Sequence, residues 1–251
     1  MNLINRIRRT KRRTLLILVI VLLVALPVIG WVGWRLIRRA AYSPTSKQLD
    51  AWFSDPASRP ALVTSLVKPC PGAPFRLPSV GFVGFLYGDP TAPYTPLNAH
   101  SGVDIFGYGD PGTVPVYAAY DGYLTRLAGW ISAVIIRIPH DPLDPSRQIW
   151  TYYTHMANLS GERSFISDAF PPGTSEKFVT RGTRLGYQGL YNGGIGARPI
   201  GMHVHFSVVL SDSSGSFRNE TYISNTLDPS PYFGFNVNAT KNPTIPVECG
   251  S

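Results

Sequence analysis

The chain has 251 residues, is 44% hydrophobic and 12% aromatic, and carries only 15% charged side chains with 24 Gly and 23 Pro. This excludes a disordered, charge-rich tail protein, argues against a helical bundle, and fits short strands joined by turns; two cysteines are too few for a disulfide-framework miniprotein or a cysteine-based zinc finger. The net charge of +8 is local: residues 1–40 hold nine of the 23 Lys/Arg and no Asp or Glu, leaving 14 basic against 15 acidic beyond them, so a nucleic-acid-binding globular domain is not indicated.

In chain order, residues 1–14 form a basic segment expected in the cytoplasm. Leu15 to Trp34 follows without a charged side chain. Twenty helical residues at about 1.5 Å each span roughly 30 Å, the thickness of a hydrocarbon core. Trp31 and Trp34 suit the far interface, and Arg35, Arg38 and Arg39 follow. The run is longer than the apolar region of a cleaved signal peptide, and no convincing small-x-small site succeeds it. A single-pass anchor is expected, with the N-terminus cytoplasmic and the bulk of the chain outside. An oxidising compartment would let Cys70 and Cys249 pair.

Residues 35–69 read as a stalk or linker, with a short helix from Ser46 to Phe53 and prolines at 56, 60 and 69. Residues 70–251 read as one all-β domain with an irregular C-terminal tail. Candidate strands are Val114–Ala118, Tyr123–Ala128, Ala133–Ile138, Gln148–His155, Arg184–Gln188 and His203–Leu210, separated by Gly, Pro, Asp and Asn turns.

Four of the five histidines fall in three short motifs: His100-Ser101-Gly102-Val103-Asp104, Tyr153-Thr154-His155-Met156 and His203-Val204-His205. Imidazole and carboxylate are the usual ligands of a hydrolytic zinc ion. On a strand, His203 and His205 share one face while Val204 and Phe206 take the apolar one. Gly102 allows a bend across which His100 and Asp104 both reach one metal. Thr151, Tyr153 and His155 share a face of their strand. His140 reads as structural.

The order H-x-G-x-D, T-x-Y-x-H-M and H-x-H-F resembles the lysostaphin-type (LytM-like) zinc metallopeptidases. The stretches Gly112–Gly122 and Val179–Gly186 are similar to the family's G-x-P-V-x-A-x-x-D-G and V-x-x-G-x-x-L/I-G segments, so the resemblance covers about residues 80–210. It implies an antiparallel, split-barrel-like sheet domain holding one Zn2+, with peptidoglycan peptides as substrate. Carried over by position, His100, Asp104 and His205 would bind the metal, and His155 and His203 would be the catalytic histidines. Tyr94, in the loop before His100, would supply a hydrogen-bond donor to the oxyanion. Ser207 stands where the family often has Glu, and the segments Ser160–Lys177 and Leu190–Gly201 are extended. With Leu86–Ala99 they are the expected groove walls. Some relatives are inactive binding modules or activators of other wall hydrolases. Those typically lack a metal ligand, whereas all five functional positions are filled here.

Overall fold

Short β-branched and aromatic alternations punctuated by Gly and Pro pair here as antiparallel strands. The computed structural model describes residues 16–17, 19–34, 45–66, 68–91, 93–194, 197, 200–241 and 243–250. The chain divides into two compact units, residues 1–42 and 43–251. In the first, residues 16–17 and 19–34 are helical, with most of their large apolar side chains exposed. Among the described residues no helix is long and apolar enough to cross a membrane. Leu15 and Leu18 of the expected span, and the basic residues flanking it, lie outside the described residues.

The second unit is built on ten strands: β1 (Phe82–Val83), β2 (Val103–Phe106), β3 (Pro115–Tyr117), β4 (Gly122–Thr125), β5 (Val134–Ile138), β6 (Ile149–Thr154), β7 (Lys177–Val179), β8 (Arg184–Tyr187), β9 (His203–Leu210) and β10 (Thr226–Leu227). The main sheet runs β1-β2-β9-β6-β5-β4-β7, β10 adds to β9, and β3 pairs with β8 apart from it. All of these pairings are antiparallel, as expected for the fold class.

The six expected strands are present, His203–Leu210 with its expected bounds and the other five shifted or trimmed at their ends. The strand expected at Tyr123–Ala128 runs Gly122–Thr125, ending early because Arg126 turns inward. Its guanidinium is buried and donates to the carbonyls of Trp130, Phe170 and Ile131 and to Ser164 Oγ, and the chain turns at Leu127–Trp130. β7 escapes a pattern reading because only Val179 of its three residues is buried.

One face of the sheet carries the main core. Val204, Phe206 and Val208 of β9 pack there with Tyr153, Ile136, Leu124, Phe75 and Phe233. Each such side chain contributes about 1.5–3 kcal/mol on burial. The segment expected as a linker belongs in part to this unit. Leu49 and Trp52, three apart on the helix Ser46–Ser54, bury against Phe82 and Phe106, and Thr45 Oγ1 donates to Gly84 O at 2.8 Å. The unit therefore begins near residue 43 rather than at Cys70. The C-terminal tail is irregular but anchored by buried Val237, Ala239 and Val247 and by the Cys70–Cys249 disulfide.

Candidate metal centre

Strand register assembles most of the site. β2 pairs with β9 so that Asp104 lies opposite His205 and Phe106 opposite His203, and β6 sets Thr154 opposite His205 on the other flank. Alternation along β9 sends Val204 and Phe206 to the core and His203, His205 and Ser207 to the other face. Gly102 matters through close approach: a Cβ there would lie 2.2 Å from Phe206 O. It lies in the bend that the sequence suggested, and it also lets β2 meet β9.

His100 precedes β2 and is held by its own backbone, N–H to Asp89 O at 3.0 Å and carbonyl to Gly88 N at 2.8 Å. Its Nδ1 donates to Leu86 O at 3.1 Å, which leaves the lone pair on Nε2. Nε2 lies 2.9 Å from His205 Nδ1 and 3.1 Å from Asp104 Oδ1, and His205 Nδ1 lies 2.8 Å from Asp104 Oδ1. All three residues are buried, and their three ligand atoms converge on one point. Two imidazoles and a carboxylate form the donor set that zinc takes in hydrolytic sites, and three protein ligands leave a coordination position open. The residues fit the metal.

His203 and His155 stand beside this triad with ring centroids 4.4 Å apart. His203 Nδ1 donates to Gly201 O at 2.7 Å and His155 Nδ1 to Tyr191 O at 2.6 Å, so in both rings Nε2 carries the lone pair. His203 Nε2 is 3.6 Å from Asp104 Oδ2. Burial lowers the His155 pKa to about 3, with the neighbouring His203 adding to the effect, and burial also lowers that of His203. Both rings are neutral proton acceptors at pH 7. Asp104, despite its burial, is held well below the ordinary carboxylate range by the neighbouring His100, His203 and His205. Burial disfavours the His205 cation, yet Asp104 and Glu220 raise its pKa to about 10.

His155 does not reach the site by alternation. Tyr153, two residues earlier, points into the core, where its hydroxyl accepts from Ala119 N at 2.9 Å. β6 ends at Thr154, and His155 adopts φ +71°, which breaks the period-two pattern and carries the imidazole to His203. Gly189 crosses behind it. A Cβ at Gly189 would sit 2.2 Å from Ala157 O and 2.5 Å from His155 O, while Gly189 bridges to His203. Tyr94 stacks on His100 with centroids 4.5 Å apart and lines the groove. His140 is exposed, its Nδ1 donating to Pro145 O.

The site opens into a groove of about 530 Å³. Leu86–Ala99 contributes Tyr94, Asn98 and Ala99, and Leu190–Gly201 contributes Tyr191, Asn192 and Gly193. The expected third wall, Ser160–Lys177, lines no part of it; Gly129–Ala133 and Glu220–Thr221 do. Ser160–Lys177 instead backs the 129–133 wall through Arg126. Sequence reasoning missed Tyr152, which alternation from Thr154 would have placed on this face, and Glu220, which no local pattern marks.

No protein-family model matches the chain, and no curated protein matches it. Among solved structures it is similar to the catalytic domain of the antimicrobial peptidase lysostaphin from Staphylococcus simulans, at 19% identity over 54% of this chain and 79% of that one, TM-score 0.34. It is similar to a structure of lysostaphin itself at 21% identity, over 60% of this chain and 48% of that one, TM-score 0.37. It is also similar to a mutant catalytic domain of the prophage-encoded M23 protein EnpA from Enterococcus faecalis, at 23% identity over 56% and 83%, TM-score 0.30.

Proposed function

We propose that this protein is a membrane-anchored zinc metalloendopeptidase that hydrolyses peptide bonds of bacterial peptidoglycan. The observation that carries the reading is the convergence of His100 Nε2, Asp104 Oδ1 and His205 Nδ1 beside two neutral imidazoles at the foot of an open groove. His100, Asp104 and His205 would hold the zinc, which when bound supplies Lewis acidity and lowers the pKa of water.

The chain's own groups do the rest. His203 and His155 offer Nε2 lone pairs on one side of the triad. One takes the proton of the attacking water, and that proton passes, directly or across the pair to the other ring, to the leaving amine. The Tyr94 hydroxyl, protonated throughout the neutral range because burial raises its pKa, is the candidate donor to the developing oxyanion. The motif order H-x-G-x-D, T-x-Y-x-H-M and H-x-H-F, and the apolar run Leu15–Trp34, support the substrate class and the anchor.

Incubation of the purified full-length chain with isolated cell-wall sacculi tests the activity. New amino termini should appear with zinc present and vanish with a chelator. A chain that binds zinc, leaves sacculi intact and stimulates another wall hydrolase would be an activator instead. A reporter fused after Ser251 should be active only outside the cytoplasm.

A further inference from the structure

His205 has a second nitrogen, and its surroundings are as ordered as those of the first. Nε2 lies 2.8 Å from Ser207 Oγ and 3.6 Å from Glu220 Oε2. The same Glu220 oxygen accepts from Ser101 Oγ at 3.2 Å. Ser101 follows His100 directly, so one carboxylate oxygen bears on the segments carrying both histidine ligands. Glu220 is largely buried, its side chain 16% exposed.

The loop that delivers it is fastened on both sides. Asn219 Oδ1 accepts from Thr221 N and Thr221 Oγ1, and Asn219 O accepts from Asn225 Nδ2. A carboxylate out of water costs several kcal/mol unless paired. Among the described residues, the ion pair of Glu220 is with His205 and no Lys or Arg. A cation on the far side of the imidazole would complete the compensation.

We propose that Glu220, with Ser101 and Ser207, is a positioning residue for the metal centre. It holds His205 through a proton on Nε2, so that when the metal is bound Nδ1 can give up its own proton and present its lone pair beside His100 and Asp104, and it increases the donor strength of the ring. This rests on the zinc-site reading above.

Zinc affinity of the full-length chain in detergent, measured by competition with a chromogenic chelator, tests it. Glu220→Ala should weaken zinc binding about 10–100-fold, as for loss of an outer-shell partner. Glu220→Gln, equal in shape but uncharged, should fall between it and the parent. The melting temperatures of the metal-free proteins should stay close to that of the parent. Unchanged zinc affinity in both variants overturns the proposal, as does a loss of affinity that tracks a lowered metal-free melting temperature in both. If Glu220→Ala does not fold, Glu220→Gln decides. A parent chain that binds no zinc overturns the metal-site reading itself, whereas a zinc-binding parent with zinc-tight variants overturns only the role of Glu220.

Discussion

The two halves of the site are built differently. The strand half, Asp104 on β2 with His203 and His205 on β9, is fixed by cross-strand register: a one-residue slip would turn both histidines into the core. The loop half, His100, His155, Tyr94 and Glu220, sits on irregular backbone held by loop hydrogen bonds, a left-handed residue and a glycine crossing. The strand half carries two of the three proposed ligands. The loop half carries most of what would act on substrate or tune the metal.

The largest effects should separate metal binding from chemistry. Asp104→Ala or His205→Ala should remove zinc and all hydrolysis, read by metal analysis and sacculus digestion. His155→Ala or His203→Ala should keep most of the zinc and lose about 10²–10⁴-fold in rate, the usual worth of a general acid or base. Equal zinc loss in all four variants would erase the distinction between ligands and proton carriers.

Gly189→Ala probes the loop half without touching a functional side chain. Its Cβ would meet Ala157 O and His155 O, so the His155–His203 pair should be pushed apart. Hydrolysis should then drop by at least tenfold while zinc stays. Tyr94→Phe should reduce turnover by roughly 10–1000-fold with zinc unchanged, as for loss of one oxyanion donor. A rate equal to the parent's would leave Tyr94 as a packing partner of His100 and Phe85.

The smallest effect concerns pH. The His155 pKa lies near 3 in the fold, against about 6.5 in the unfolded chain. Below pH 6.5 the unfolded chain binds a proton that the folded chain refuses, so stability is full above that pH and declines as pH falls towards 3. The loss between pH 6.5 and 5 should be roughly 1–2 kcal/mol, towards the lower end because the ring is partly exposed. Urea melts of the metal-free protein at both pH values measure it, and His155→Gln should flatten the slope.

How much was legible in the sequence follows the same division. Alternation along His203–Leu210 put His203 and His205 on one face, because period two is a local rule; that Asp104, 101 residues away, lies opposite His205 is a long-range pairing that only the family resemblance implied. The same rule misled at His155. Counting by twos puts it with Tyr153 in the core, and only the φ of +71° at the strand end takes it out. Glu220 was invisible because its partners, His205 and Ser101, are 15 and 119 residues away in sequence. The wall assigned to Ser160–Lys177 was misplaced because nothing local announces that Arg126 buries its guanidinium between that segment and Trp130–Ile131.

The Cys70–Cys249 bond joins residues 179 positions apart, and every groove segment lies within the ring it closes. A protease that nicked one of those exposed loops would not divide the molecule. The piece bearing the N-terminus and Cys70 would stay covalently tied to the piece bearing Cys249. The nicked chain would run as one band on a non-reducing gel and as two after reduction. Damage at the groove would therefore leave both pieces joined, rather than shed a loose fragment.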